Sequence, residues 1–188
     1  MTNFSKYTDL ELIEALINEK DNKWFAILYD RYASRVYNKC ILLTHSTEAA
    51  KDLTHDIFIK VFIHIREFKG TSTFFSWLFA ITYNTCINYL RKSKMYNDVP
   101  FDDEKNQLVA DEIDDGDLME IELSRLKILL EEIPTDDKII LLLKYQDGMS
   151  INEIGQVFKI GESATKMRIS RAKGKINCIY NSKYIHSK

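Results

Sequence analysis

Phe68, Lys69, Phe74, Trp77, Asn84, Asn88 and Arg91 all lie in the stretch FKGTSTFFSWLFAITYNTCINYLR, residues 68–91. Their side chains share one chemistry. Aromatic rings stack on a nucleobase, carboxamides hydrogen-bond its edge, and lysine or arginine pairs with phosphate. A structural loop calls for Gly, Ser and Thr, not for so many aromatics around them. At about 100° per residue, Trp77, Ile81, Asn84, Asn88 and Arg91 fall on one side of a helix. Leu78, Phe79, Cys86, Tyr89 and Leu90 occupy the other. With Phe68, Lys69 and Phe74 in the loop before it, this face suits a pocket for an extruded base. The alternative is that Trp77 belongs to the core; the flanking RKSK at 91–94 and the two amides favour binding.

A second constellation lies in AAKDLTHDIFIKVFIHI, residues 49–65. Leu53, Ile57, Phe58, Val61, Phe62 and Ile65 fill one broad side of a helix, and Asp52, Asp56, Ile59 and Ile63 fall together on the opposite side. Two acids beside two isoleucines on an outward face form a partner-binding signature. The competing reading is a helix buried all round, with Asp52 as a capping or salt-bridging residue. The dipeptide His55–Asp56 occurs in some metal-dependent hydrolases. Neighbours on a helix point about 100° apart, however, so the pair cannot chelate alone and no metal site is expected.

The third is ESATKMRISRAKGK, residues 162–175, where Lys166, Arg168, Arg171, Lys173 and Lys175 outweigh the single Glu162. A helix of this kind reads the major groove with its N-terminal residues, while Lys and Arg along its length meet phosphates. Glu162, Ser163, Lys166 and Met167 stand at that N-terminal end; Arg168, Ser170, Arg171 and Lys173 follow it. Thr165 faces inward by helical spacing.

The elements that must position these groups are helical nearly throughout, so the fold class is all-α. Gly (6) and Pro (2) are few, and apolar residues recur at three- and four-residue intervals. Leu10, Ile13 and Ile17 mark one helix; Phe25, Leu28, Tyr32 and Val36 a second; Leu53, Ile57, Val61 and Ile65 a third; Trp77 to Leu90 a fourth. KMYNDVPFDDEKNQLVADEIDDGD then breaks the pattern with Pro100, Gly116 and nine acidic residues, as a linker would. Helices resume at Leu118 and Pro134 ends the first of them. TDDK opens the next, with Asp136 and Asp137 at the positive end of its dipole. Gly148 is placed as a C-terminal cap, and SINE supplies a capping box of Ser150 and Glu153. A helix over 151–158, the turn KIG and a long helix from Glu162 complete a helix-turn-helix.

The bulk properties agree. The chain has 188 residues, 45% hydrophobic and 29% charged, as an ordinary globular protein does. Its formal charge of −2 conceals about +3 over 1–95, −12 over 96–137 and +7 over 138–188. A basic module of this kind is one footprint of nucleic-acid binding. Cys40, Cys86 and Cys178 are widely spaced with no CxxC pair, which suggests reduced thiols in a cytoplasmic protein. No signal peptide and no membrane-spanning stretch are expected.

These blocks, in this order, resemble the extracytoplasmic-function (ECF) sigma factors of bacterial RNA polymerase over nearly the whole chain. FAILYDRYASRVYNKC, AAKDLTHDIFIKVF and FKGTSTFFSWLFAITYNTCINYLRKSK look like that family's promoter-melting domain. IPTDDKIILLLKYQDGMSINEIGQVFKIGESATKMRISRAK looks like its −35-binding domain. The resemblance implies region 2 over 1–95, an acidic linker over 96–118 and region 4 over 119–188. It implies that Asp52, Leu53, Asp56, Ile59 and Ile63 dock on a coiled coil of the polymerase largest subunit. Phe68, Lys69, Phe74, Trp77, Asn84, Asn88 and Arg91 would then capture a non-template base of the −10 element. Glu162, Ser163, Lys166, Met167, Arg168, Ser170, Arg171 and Lys173 would contact the −35 duplex. The implied partners are the polymerase core, including its flap, and promoter DNA; an anti-sigma factor, membrane-bound or cytosolic, is a further candidate. No cofactor, metal or catalytic residue is implied. The linker would follow the positively charged RNA path. Three departures stand out: His55 where a glutamine is usual, Lys159 for the glycine common in the turn, and Thr165 for an apolar residue. The rival readings are a duplex-binding regulator that needs no polymerase, and an HD-type hydrolase.

Overall fold

The structure, a computed structural model, describes residues 6–96 and 123–185, with side chains over 6–92 and 125–185. The acidic linker expected over 96–118, with Pro100 and Gly116, lies outside the described residues except at Tyr96, which ends a helix. The chain divides into two units, Met1–Pro100 and Phe101–Lys188. Among the described residues there is no strand.

The first unit holds α1 (Asp9–Glu19), α2 (Lys23–Thr44), α3 (Thr47–His64) and α4 (Phe74–Tyr96). Helix α1 starts with a capping box. The Glu11 N–H donates to the Thr8 hydroxyl (3.3 Å), and the Thr8 N–H donates back to the Glu11 carboxylate (2.7 Å). Ser46 caps α3 by accepting from the Ala49 N–H at 3.2 Å. A 3₁₀ turn, Ile65–Glu67, and the loop 68–73 lead into α4. Helices α2, α3 and α4 pack against one another, and Leu28, Val36, Cys40, Ile57, Val61, Leu78 and Cys86 are sealed between them. The thiols of Cys40 and Cys86 meet at 3.6 Å in this core, both free; Cys178 is exposed.

The apolar pattern located these helices, and the structure corrects it at particular residues. Phe74, read as part of the loop, opens α4. The Thr73 hydroxyl accepts from the Ser76 N–H at 3.2 Å and supplies the helix start three residues before Trp77. Phe62, assigned to the inner face, is 43% exposed: it stands at the edge of the packed face, with the Phe25 ring of α2 4.9 Å away and a hollow shared with Leu16 and Ile17 beside it. Tyr89, also assigned inward, and Leu10 are exposed.

The second unit holds α5 (Leu123–Glu132), α6 (Thr135–Leu141, extended by a π-helical turn Leu142–Gln146), α7 (Ile151–Phe158) and α8 (Glu162–Tyr180). Gly148 takes φ +68° and turns the chain after α6, as its position in the sequence suggested. The capping box at Ser150 and Glu153 forms, and α7, the turn and α8 fall where the sequence placed them. Leu129, Ile139, Ile140, Leu143, Ile154 and Ile176 fill the core.

The turn between α7 and α8 separates two demands on the backbone. Lys159 closes α7 in the left-handed region at φ +57°, the conformation for which glycine is the usual residue. Gly155 answers a different need: a Cβ there would sit 2.8 Å from the Ile160 carbonyl oxygen and 3.1 Å from the Thr165 hydroxyl. Thr165 is fully buried and its hydroxyl donates to the Gly161 carbonyl at 2.9 Å, so the inward threonine is satisfied within its own turn. These two positions should therefore respond oppositely. Lys159→Gly relieves the left-handed helical conformation of a residue with a Cβ and, net of glycine's entropic cost, should stabilise the unit by roughly 0.5–1 kcal/mol. Gly155→Ala forces the turn apart and should destabilise it by about 1–3 kcal/mol. Thermal melts of the full-length variants check both signs.

Candidate polymerase- and DNA-binding faces

On α3 the acid–isoleucine stripe is real surface. Asp52 and Asp56 are exposed, and Ile59 and Ile63 are 49% and 66% exposed. This disposes of the helix buried all round. Phe62 lies beside them, with Tyr29 of α2 near the same edge through its contact with Phe58 (4.6 Å). Phe62 was missed as a surface group; its place three residues after Ile59 was the available signal. Leu53 is a correction in the other direction. It is only 6% exposed and packs in the core, so it holds α3 in place and presents nothing to a partner. His55 and Asp56 both point to solvent, and no cluster of metal-ligating side chains occurs among the described residues.

The loop and α4 build a graded face. Phe68 and Trp77 are half-buried, their rings tilted against each other with centroids 5.7 Å apart. Phe74 lies beneath both, 5.6 Å from Phe68 and 5.9 Å from Trp77, and is 2% exposed. It is the floor of the site and cannot touch a base, which corrects the expectation that it lines the pocket directly. The reason is its place in the first turn of α4, where the side chain falls onto α2 and packs edge-on against Tyr32 at 5.4 Å. Farther along α4, Asn84 is half-buried while Asn88 and Arg91 are exposed. The Asn84 amide donates to the Ala80 carbonyl at 2.6 Å, which directs its side chain and leaves its oxygen as an acceptor. Lys69 is exposed beside Gly70, whose φ of +69° lets the loop turn.

The cations of α8 separate by burial and pairing. Glu162, Ser163, Lys166, Met167 and Arg171 are exposed; Ser170 is half-buried. Lys166 pairs with Glu162 one turn back at 2.6 Å, and its ammonium holds the Glu162 carboxyl below the usual carboxylate range. Arg168 is half-buried: it donates to Asp136 at 3.2 Å and lies 5.0 Å from the centre of the Phe158 ring. Lys175 donates to Asp137 at 2.5 Å. The acids at the start of α6 thus anchor α8 as well as complementing the helix dipole. Lys173, expected at phosphate, is 6% exposed. It stands four residues after Ile169 and three before Ile176, both buried, so helical spacing turns it inward.

Residues 28–95 match the family model described as Sigma-70 region 2, and residues 124–176 the one described as Sigma-70, region 4. The chain is 29% identical over 168 residues to the ECF RNA polymerase sigma factor SigW of Bacillus subtilis, covering 84% of this chain and 89% of that protein. It is 29% identical over 177 residues to the ECF RNA polymerase sigma-E factor of Haemophilus influenzae, covering 88% and 92%. Among solved structures it shares its fold with the sigma factor RpoE of Bartonella quintana, crystallised with the anti-sigma factor NepR. There the TM-score is 0.61 and the identity 19%, over 85% of this chain and 98% of that one.

The layered aromatic site has an energetic consequence. Removing the floor leaves a cavity under two rings and against α2, so Phe74→Ala should cost about 3–5 kcal/mol of stability. Trp77→Ala, at a half-exposed position, should cost clearly less. Denaturant titrations of the two variants give the comparison, and equal losses would place Trp77 in the core.

Proposed function

The chain belongs to the ECF group of sigma-70 factors, which direct RNA polymerase to promoters, and we propose how its faces divide that task. Asp52, Asp56, Ile59 and Ile63, joined by Phe62, dock on the coiled coil of the polymerase largest subunit. Phe68, Lys69, Trp77, Asn84, Asn88 and Arg91 hold a non-template base of the −10 element over the floor made by Phe74. Glu162, Ser163, Lys166 and Met167 read base edges of the −35 duplex, while Arg168, Ser170 and Arg171 lie towards its phosphates. Lys173 supports α8 from beneath. Region 2 spans 1–95, region 4 spans 119–188 and also meets the polymerase flap, and the acidic 96–118 follows the RNA path. The protein contributes recognition, not bond-making chemistry, and works in the cytoplasm, where the polymerase is; among the described residues no helix is long and apolar enough to cross a membrane. An anti-sigma factor, membrane-bound or cytosolic, would compete for the isoleucine face.

The observation that carries this reading is the exposure of Ile59 and Ile63 beside Asp52 and Asp56. A duplex-binding regulator acting alone has no use for that stripe, and leaving large apolar groups in water is unfavourable unless a partner covers them. Ile59→Glu and Asp56→Arg should each weaken binding to core polymerase by about 2–5 kcal/mol, the range for losing a close interfacial contact. Both side chains are outward, so the thermal midpoint should hold. A fluorescence titration against core enzyme with unchanged affinity would remove this face from the interface.

On α8 the three kinds of cation should behave differently. Lys166→Ala should relax preference at one or two −35 positions, at about 1–3 kcal/mol per lost base contact. Arg171→Ala should weaken all sequences alike and reduce the salt slope by about one. Lys173→Ala should act through stability. The measurement is binding of −35 promoter variants at two salt concentrations, read beside melting curves. A uniform loss for Lys166→Ala with preference unchanged would mean that α8 sits in the groove in another register.

A further inference from the structure

Helix α1 carries no part of the proposed interfaces, yet its first turn is tied to the aromatic site at two points. The Asp9 carboxylate accepts from the Tyr32 hydroxyl at 2.5 Å and from Arg31 at 2.5 Å, and Arg31 also donates to the Tyr7 carbonyl at 2.9 Å. One residue on, Leu10 Cδ2 lies 3.4 Å from where a Cβ would stand on Gly70, in the loop itself. Leu10 is otherwise half in water. The Tyr32 ring packs on Phe74 edge-on at 5.4 Å and is stacked on Phe75 at 5.9 Å. Phe74 in turn supports Phe68 and Trp77. An unbroken path of contacts runs from the Asp9 carboxylate to both rings that would face a base.

We propose that Tyr32 is a positioning residue for strand opening: its bond to Asp9 fixes the ring under Phe74 and so sets the relative placement of Phe68 and Trp77. The inference rests on the reading of Phe68 and Trp77 as the base-holding pair. Packing alone at this buried position would be met by phenylalanine, so the hydroxyl has a separate task. Burial, then the bond to Asp9, pushes the Tyr32 phenol up from its ordinary value, which keeps it protonated and donating at any pH where the protein works. A hydrogen bond to a charged acceptor holds its donor in one direction more firmly than ring packing does. Through Phe74 that direction becomes a fixed spacing of the two outer rings, set before DNA arrives. Holding the geometry in advance spares the ordering cost at the moment of capture.

Tyr32→Phe keeps the ring and deletes only the donor. Asp9→Ala deletes the acceptor, and the double variant removes both. Each is assembled with core polymerase on a promoter carrying a fluorescent base analogue in the −10 element, with Trp77→Ala as reference. Tyr32→Phe and Asp9→Ala should each slow opening about tenfold, the scale of one lost hydrogen bond to a charged group. Core affinity and closed-complex affinity should stay at the parent value. The double variant should open no more slowly than Asp9→Ala, because that single already removes the Tyr32–Asp9 bond along with the Arg31 pair. Parental opening by Tyr32→Phe, with Trp77→Ala impaired, would overturn the positioning role and leave the base-holding pair standing. Parental opening by Trp77→Ala would overturn the pair and the positioning role together. A Tyr32→Phe protein that loses core affinity as much as opening would show a general packing role, which also overturns the proposal.

Discussion

Burial of the seam among α2, α3 and α4 fixes where every outward group of the first unit can be. Leu28, Val36, Cys40, Ile57, Val61, Leu78 and Cys86 must all leave water together, which sets the rotation of each helix about its own axis. Once α3 has turned Leu53, Ile57 and Val61 inward, Asp52, Asp56, Ile59 and Ile63 have nowhere to go but out. Once α4 has turned Leu78, Phe79 and Cys86 inward, Trp77 is left half-covered and Asn88 and Arg91 uncovered. The two proposed faces are the complements of one core. This explains why single core positions such as Leu53 and Phe74 matter to sites they never reach.

The second unit solves its geometry with polar groups. Arg168 and Lys175, from one helix, are held by Asp136 and Asp137 at the start of another, and Thr165 folds its hydroxyl back onto Gly161. These partly covered ion pairs are directional, and with the close approach at Gly155 they fix α8 against α6 and α7. The same pairing takes cations out of circulation. A helix with five cations over 162–175 presents Lys166 and Arg171 as its exposed ones, so its duplex attraction is narrower than its formal charge suggests. Selective exposure of that kind favours sequence reading over bulk phosphate attraction.

Period and punctuation alone were enough to locate the helices. Apolar spacing near 3.6 residues, the Ser150–Glu153 box and Gly148 placed α7, the turn and the start of α8 where they are observed, because capping and left-handed turns are local chemistry. The outward acids and isoleucines of α3 were legible for the same reason: a helix face follows from residue number alone. So was the departure at Lys159, which the backbone accommodates in the glycine conformation.

What required the folded chain was the reach of the partners over each face. A helical wheel gives the direction of a side chain but not what lies in that direction. Hence Phe62 emerged only partly covered by Phe25 of α2, Phe74 sank to the floor of a site whose rim it was expected to form, and Lys173 turned out to be buried. The pairings Asp9–Tyr32, Asp136–Arg168 and Asp137–Lys175 span 23, 32 and 38 residues, and no local pattern encodes them. The sequence by itself determined the all-α class, the order of the helices and the chemistry on offer, since those depend on neighbours along the chain. Tertiary structure decided which of the offered side chains face water and which are held beneath, since that depends on neighbours in space.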